Sequence, residues 1–155
     1  MADEITKRSH SCRHLKLRTL CPEALLRANT SHPDIVGAMD SVARAHGLVI
    51  VTPTYKGTFS GLFKAFIDIL PQYAFKSKVI LPLATGGSLA HMLMLDHGLR
   101  PVLQTMWPRH VIQGCFIVDS TLTFEPAFDI ASSPLLSEVF AQFIEALAAA
   151  TPTHI

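Results

Sequence analysis

The sequence has little charge, little glycine near its start and no long apolar run. Charged residues make up 16% of its 155 residues and the formal net charge is +1, against roughly 25% charged residues in an average soluble domain. A chain of this charge has no electrostatic attraction for nucleic acid or for an acidic membrane. Its uninterrupted apolar runs are far shorter than the ~20 residues that a membrane-spanning helix needs. We therefore expect no nucleic-acid partner and no membrane span.

The chain also lacks paired cysteines and spaced metal ligands. Cys12, Cys21 and Cys115 are odd in number and share no CxxC spacing, which is typical of reduced thiols in the cytoplasm. The first 25 residues contain no apolar segment of the kind found in signal peptides. His91 and His97 stand six positions apart, so they do not share one helical face as a metal pair would. We predict a cytoplasmic protein without a metal site.

The sequence is rich in apolar residues that recur in short runs. They make up 49% of the chain, and its mean hydropathy is +0.34. This length and composition predict one domain over residues 1–155, with apolar surface left for another subunit. Runs at 48–51, 78–83 and 111–118 indicate strands buried on both faces, and 14–20 indicates a half-exposed strand. Helices are predicted at 22–26, 34–45, 61–70, 89–103 and 134–150.

This alternation of strands and helices predicts an α/β fold with a parallel, doubly wound sheet. Ligands bind such sheets beyond the carboxyl ends of the strands. The strand at 48–51 runs directly into Thr52-Pro53-Thr54-Tyr55-Lys56-Gly57. Pro53 restricts the backbone, Tyr55 offers a ring and a hydroxyl, and Gly57 permits a close approach. An ordinary connection between a strand and a helix uses similar residues, so composition leaves both interpretations open.

A second loop follows the next strand along the chain. It reads Thr85-Gly86-Gly87-Ser88 and precedes a predicted helix. Adjacent glycines let backbone N–H groups face a ligand, and the start of a helix favours negative partial charge. Together the two loops predict a site for a flat, acceptor-rich ligand at the carboxyl edge of the sheet.

The motif string also resembles a known family. Residues 52–61, the pair Leu70-Pro71 and residues 78–91 resemble the NAD(P)H-dependent FMN reductases, in the branch that supplies reduced flavin to alkanesulfonate and methanesulfonate monooxygenases. The resemblance runs from about His14 to about Ser120. It implies a flavodoxin-like three-layer sandwich with a parallel sheet, FMN and NADPH or NADH as cofactors, and a homodimer or homotetramer.

The resemblance further implies a hydride transfer from NAD(P)H to FMN, with reduced flavin released to a partner monooxygenase in sulfonate metabolism. No catalytic side chain is expected, because the flavin carries the redox chemistry. The resemblance also places His97 at a π-type insertion at a subunit interface, although a core or interface histidine without a special role is the plainer interpretation. The implied cofactor-binding residues are Pro53, Thr54, Tyr55, Lys56, Gly57, Thr85, Gly86, Gly87 and Ser88.

The sequence departs from the family at its beginning. No glycine precedes Gly37, so the Gly-rich phosphate loop of the family and the strand before it are missing. In the flavodoxin-like order the first strand is central, and its loss leaves a gap between the second and third strands. Such a gap exposes unpaired backbone groups. A misassigned start codon, a decayed gene and a repacked sheet each explain this, and we favour the first two.

The departure lowers our expectations for binding and stability. Lost phosphate contacts, each worth roughly 1.5–3 kcal/mol, predict weak flavin affinity. We expect a marginally stable or oligomer-dependent chain, with a melting temperature no higher than about 60 °C. Two other functions stay open at this point: a non-catalytic or decayed flavodoxin-like subunit, and a quinone or azo-dye reductase.

Overall fold

A computed structural model of the chain describes residues 11–122, 130 and 133–150. Its helices are α1 Pro22–Leu26, α2 Pro33–Arg44, α3 Gly61–Asp68, α4 Arg100–Thr105 and α5 Pro134–Ala150. Its strands are β1 Gly47–Tyr55, β2 Thr58–Phe59, β3 Val79–Gly86, β4 His110–Val111 and β5 Cys115–Val118. Short 3₁₀ helices span Leu17–Thr19, Leu89–His91 and Asp119–Thr121, and a π-helix spans Leu95–Leu99.

Strand β3 lies at the centre of the sheet. It pairs in parallel with β1 on one side, and with β4 and then β5 on the other. Its residues are buried except for the half-buried Thr85. The two-residue β2 pairs antiparallel with the end of β1. The α/β class with a mostly parallel sheet, predicted from the alternating pattern, is confirmed.

Two apolar clusters cover the opposite faces of this sheet. Alternation along β3 sends Ile80 and Ala84 into the cluster formed with α2 and α3, and Leu81 and Leu83 into the cluster formed with α5. Because successive strand residues point to opposite faces, a continuous apolar run is required in such a strand. The described residues therefore form three layers, with the sheet in the middle.

Local chemistry defines the ends of α2. The helix begins with Pro33 at its first position, and the Nδ1 atom of His32 accepts a hydrogen bond from the N–H of Asp34 at 3.3 Å. At its other end the Nζ atom of Lys78 donates to the carbonyl oxygens of Ala43 at 2.8 Å and Ala45 at 2.7 Å. A cation at a helix C-terminus satisfies carbonyl groups that have no partner within the helix.

The strand predicted at 14–20 is wrong. Residues 17–19 form a 3₁₀ turn, in which the N–H of Thr19 donates to Lys16 and that of Leu20 donates to Leu17. A strand needs a neighbour for its ladder. In the part of the chain that the structure describes, no strand lies between this segment and β1, so its backbone bonds locally instead.

Two predicted elements are interrupted. The strand expected at 111–118 is divided into β4 and β5, next to Pro82 of β3, which has no N–H to donate. The backbone passes so close there that a Cβ atom on Gly114 would lie 2.7 Å from the carbonyl oxygen of Pro82. The helix expected at 89–103 consists of 3₁₀, π and α segments. The predicted π-type insertion is present and contains His97.

Candidate functional site

The pairing of β1 with β3 brings the two predicted loops together. Thr52 lies opposite Ala84, and Pro53 lies opposite Thr85, in the last pairs of the parallel ladder. Both strands run in the same direction, so both loops leave the sheet at its carboxyl edge. The register places the two loops as immediate neighbours, as the sequence predicted.

The first loop is a tight hairpin, which sequence analysis missed. Tyr55 pairs with Thr58, and the two residues between them, Lys56 and Gly57, have φ angles of 52° and 81°. Two successive positive φ angles are what a type I′ turn requires. The glycine between two β-prone residues was the available signal. The turn holds Tyr55 at the edge of the sheet, where 62% of its surface is exposed.

A pair of hydroxyl groups holds the base of this hairpin. Thr52 is only 1% exposed, and its Oγ1 atom accepts a hydrogen bond from the N–H of Ser60 at 3.1 Å. The Oγ atom of Ser60 in turn accepts from the N–H of Phe63 at 3.2 Å and caps α3. Residues 52 and 60 thus connect the end of β1 to the start of the helix, and the loop between them has fixed ends.

The second loop has a buried half and an exposed half. Gly86 is buried, and a Cβ atom there would lie 2.8 Å from the ring of Phe116 and 3.3 Å from the Cβ atom of Thr54. Gly87 and Ser88 are exposed, and nothing lies within 4 Å of a Cβ atom placed on Gly87. The Oγ atom of Ser88 accepts from the N–H of Ala90 at 3.2 Å. Glycine is required at 86 for close packing, whereas position 87 opens to solvent.

One buried polar atom between the loops lacks a partner. The Oγ1 atom of Thr54 is buried and makes no hydrogen bond within the described part of the chain. A buried hydroxyl without a partner costs free energy, and in native proteins it usually marks a ligand or water contact. Together with the open space beside Gly87, this atom fits the polar edge of a flat ring such as that of FMN.

The π-helix packs against the hairpin. A Cβ atom on Gly98 would lie 2.9 Å from the Oγ1 atom of Thr58, so the backbone of the π-helix touches the β2 strand. His97 is exposed, and the interpretation as a core histidine is therefore wrong. The side chains of Leu89, Met92 and Leu93 in the same segment are 52–60% exposed. We call these three residues and His97 the apolar patch.

Shifted pKa values occur elsewhere in the fold. Burial lowers the pKa of Lys78 below its ordinary value and raises the pKa of the Cys115 thiol above its own. Neither residue belongs to the two loops. In the residues that the structure covers, no group of three His, Cys, Asp or Glu side chains is placed to hold a metal ion. The loops thus present backbone groups, hydroxyls and an aromatic ring, which suit binding and orientation of a ring system.

The sequence itself decides the family. A family model described as NADPH-dependent FMN reductase matches residues 1–123. The chain belongs to this family. The resemblance inferred from residues 52–61 and 78–91 is thereby confirmed, and FMN and NAD(P)H are the ligands that the family name and the names of its members indicate.

Similar proteins agree with this assignment. The chain is 41% identical over 109 residues to an FMN reductase (NADPH) of Pseudomonas putida, and 40% identical over 107 residues to the enzyme of that name in Escherichia coli. A solved apo structure of an NADH:FMN oxidoreductase (EMOB) superposes with a TM-score of 0.86 at 42% identity. The fold of the chain is therefore that of the flavodoxin-like FMN reductases.

The chain is shorter than these relatives. The matches cover 70% and 69% of this chain but only 55% and 56% of the two reductases. The chain thus spans about half the length of the curated relatives it matches. The superposition covers 98% of this chain and 79% of the solved oxidoreductase.

None of the described helices combines the length and the hydropathy that crossing a membrane requires.

Proposed function

We propose that this chain takes part in the NAD(P)H-dependent reduction of FMN. The observation that carries the proposal is the register of β1 and β3, which places Pro53 beside Thr85 at the carboxyl edge of the sheet. This register joins the two family motifs into one surface. We infer that a single domain carries the function, since both apolar clusters cover one sheet.

Each loop has a distinct part in this proposal. Tyr55 and Lys56 lie exposed at the hairpin and flank the ring, while the unpartnered hydroxyl of Thr54 meets its polar edge. Gly87 and Ser88 offer backbone N–H groups in open space. Gly86 keeps the floor between the loops flat because its Cβ position is already filled by neighbours. The chain's residues bind and orient the ring and limit its access to water.

When bound, FMN supplies the redox chemistry by accepting a hydride from the nicotinamide. Its phosphate group needs donors outside the two loops, because Lys56 is the single basic residue in 52–60 and 85–88. We therefore expect weaker binding of FMN than a complete phosphate site allows. The names of similar proteins include both NADPH and NADH, so both coenzymes belong in the assay.

The remaining parts of the proposal concern partners. We propose that reduced flavin passes to a monooxygenase in sulfonate use, which rests on the motif resemblance. We also propose that the apolar patch associates two or more copies of the chain, because exposed apolar clusters are typical of interfaces. The three cysteines are free, as expected of thiols in the cytoplasm, where we place the activity.

Titration of FMN fluorescence tests the proposal. Saturable quenching in the micromolar range, followed by FMN-dependent oxidation of NADPH or NADH, is the expected result. The variant Tyr55→Ala should weaken the quenching, since stacking on an exposed ring contributes to affinity. Tyr73→Ala is the matched control, because Tyr73 is 51% exposed and packs on Trp107 outside the two loops. Equal affinities for the two variants would contradict the assigned site.

A non-catalytic subunit is the second candidate. The observation that favours it is the open edge of β1, which is argued in the next subsection. Absence of saturable quenching by FMN, in a sample that melts cooperatively, would favour this role over the reductase.

A further inference from the structure

A deep slot runs along the free edge of β1. Its volume is about 820 Å³, and one border is the stretch Gly47–Val51 of β1 while another is the segment of residues 11–15. The slot is lined mainly by apolar side chains. It lies between the two helical layers and is separate from the ring-binding loops at the end of the sheet.

The backbone along this edge has no ladder partner. Within the described part of the chain, β1 pairs with β3 over residues 47–53, and its other neighbour, β2, begins only at the pair Thr54 and Phe59. Successive residues of a strand direct their N–H and C=O groups to alternate sides. About half of these groups between 47 and 53 therefore point into the slot, where a free strand edge favours pairing with another strand.

Burial across the ladder shows the same gap. Val51 and Leu83 are paired in register, yet Val51 is 58% exposed and Leu83 is 1% exposed. Both are aliphatic residues in strands of similar sequence. The difference arises because β3 has a strand on each side, whereas β1 has one on a single side.

Both walls of the slot are apolar. Phe63, Phe66 and Ile67 of α3 line one wall, and Phe143 and Leu147 of α5 line the other. A strand that enters such a slot must carry apolar side chains on both of its faces, as the strands of two-sided parallel sheets do. The free stretch of seven residues corresponds to about 23 Å of strand.

We propose that the slot beside β1 binds one extended apolar strand supplied by another polypeptide segment, which adds to the sheet through backbone hydrogen bonds. The occupant has about six residues, a usual strand length. Unmatched chain exists in relatives, since the superposed oxidoreductase is covered to only 79%. A strand of that kind needs no helices of its own.

A second folded copy of this chain is a poorer occupant. The slot lies between two helical layers, and the free edge of a second β1 is itself flanked by such layers. Entry of that edge would bring the helices of both copies into the same space. An isolated extended segment has no such layers, so it can lie between the walls.

A peptide with three Val-Ile repeats between pairs of lysines, blocked at both ends, tests the proposal on the full chain. Hydrogen–deuterium exchange of the amides of residues 47–51 and the melting temperature are measured together. We expect slower exchange in this stretch and a saturable rise in Tm of about 5 °C. The control is the same peptide N-methylated at alternate residues, which keeps the side chains but cannot complete a ladder.

Two variants locate the effect. Val51→Lys places a charge at the open edge, a device that blocks strand pairing, and should abolish the response to the peptide. Leu62→Lys also alters an exposed leucine, 40% exposed, that does not line the slot, and should leave the response intact. Circular dichroism confirms that each variant is folded. The peptide pair on the unaltered chain gives an answer even where a variant is not.

Three results would overturn the proposal. The first is no protection and no Tm shift with the Val-Ile peptide. The second is an equal response to the N-methylated peptide, which indicates apolar adsorption without a ladder. The third is protection of residues 47–51 in the absence of peptide, in a sample that sediments as a dimer, which assigns the edge to a second copy. FMN is absent from these experiments, so their outcome is independent of the reductase proposal.

Discussion

Gly98 of the π-helix lies directly against Thr58 of the hairpin: a Cβ atom on the glycine would be 2.9 Å from the threonine Oγ1 atom. Real Cβ contacts are longer than this, so any larger residue at 98 must push the hairpin or the π-helix aside. The contact connects the segment that carries His97 with the loop that carries Tyr55. The position of the hairpin therefore depends on the π-helix.

Gly98→Ala tests this dependence. We expect the displaced hairpin to weaken FMN binding about tenfold, which corresponds to about 1.4 kcal/mol, and to lower the free energy of unfolding by about 1–3 kcal/mol through overpacking. Gly37→Ala is the control, because nothing lies within 4 Å of a Cβ atom there and Gly37 lies inside α2. That control should stabilise the protein slightly. Identical FMN titrations for both variants would refute the coupling.

Adjacent glycines should respond differently to alanine. Gly86→Ala forces a Cβ atom to within 2.8 Å of Phe116, so we expect a loss of about 1–3 kcal/mol in the free energy of unfolding. Gly87→Ala meets open space and should leave that free energy within about 0.5 kcal/mol of its original value, while weakening FMN binding. Urea denaturation and fluorescence titration of both variants check this. Equal stability losses would show that the two positions are packed alike.

The buried hydroxyl at the base of the hairpin is a further test. Thr52→Val keeps the shape but removes the acceptor for the N–H of Ser60, and an unsatisfied buried donor costs about 1–3 kcal/mol. Thr105→Val is the control, since the hydroxyl of Thr105 also bonds a carbonyl but is exposed to water. Chemical denaturation should show a loss for Thr52→Val alone. A comparable loss in the control would attribute the effect to the threonine-to-valine change itself.

Lys78 should make stability depend on alkaline pH. Burial lowers its folded pKa below the ordinary value of 10.5, so between the two values the unfolded chain binds more protons and stability rises with pH. The raised pKa of the Cys115 thiol acts in the opposite direction. Subtracting the free energies of Lys78→Met from those of the unaltered protein removes the cysteine contribution.

That difference, measured by denaturation at a series of alkaline pH values, should increase towards pH 10.5. The Lys78→Met variant should also be less stable overall, since the carbonyl groups of Ala43 and Ala45 lose their donor. A difference that is flat with pH would mean that the ammonium group is well solvated in the folded state.

The apolar patch predicts self-association. Leu93 is 60% exposed beside the π-helix, and Leu93→Lys should shift the protein towards monomer by adding a charge where apolar contact is expected. Leu135→Lys is the control, since Leu135 is 50% exposed at the start of α5. Analytical ultracentrifugation of both variants measures the shift. A monomeric unaltered protein would contradict the proposed oligomer.

Much of the architecture followed from patterns along the chain. The apolar run of β3 and the amphipathic face of α3 are local signals, because a side chain's distance from water depends on the period of the element that carries it. The loop motifs at 52–57 and 85–88 are likewise continuous in sequence. The hairpin at Lys56 and Gly57 was missed because a two-residue β2 is too short to show alternation.

Where prediction failed, the cause lay in neighbours that are distant in sequence. Residues 14–20 alternate as a strand does, yet a strand forms only with a ladder partner, and here the adjacent position is the slot beside β1. The division of the 111–118 strand follows from contact with Pro82 in β3. The exposure of His97 depends on how the π-helix packs on the hairpin.

The sequence by itself determined the fold class, the family and the two loop motifs, since each is written in a continuous stretch of residues. Only the tertiary structure decided that Pro53 lies beside Thr85, that Thr54 has a buried hydroxyl without a partner, and that β1 has an open edge. The physical reason is that register, burial and backbone pairing are relations between separate segments. They exist only after the segments have packed together.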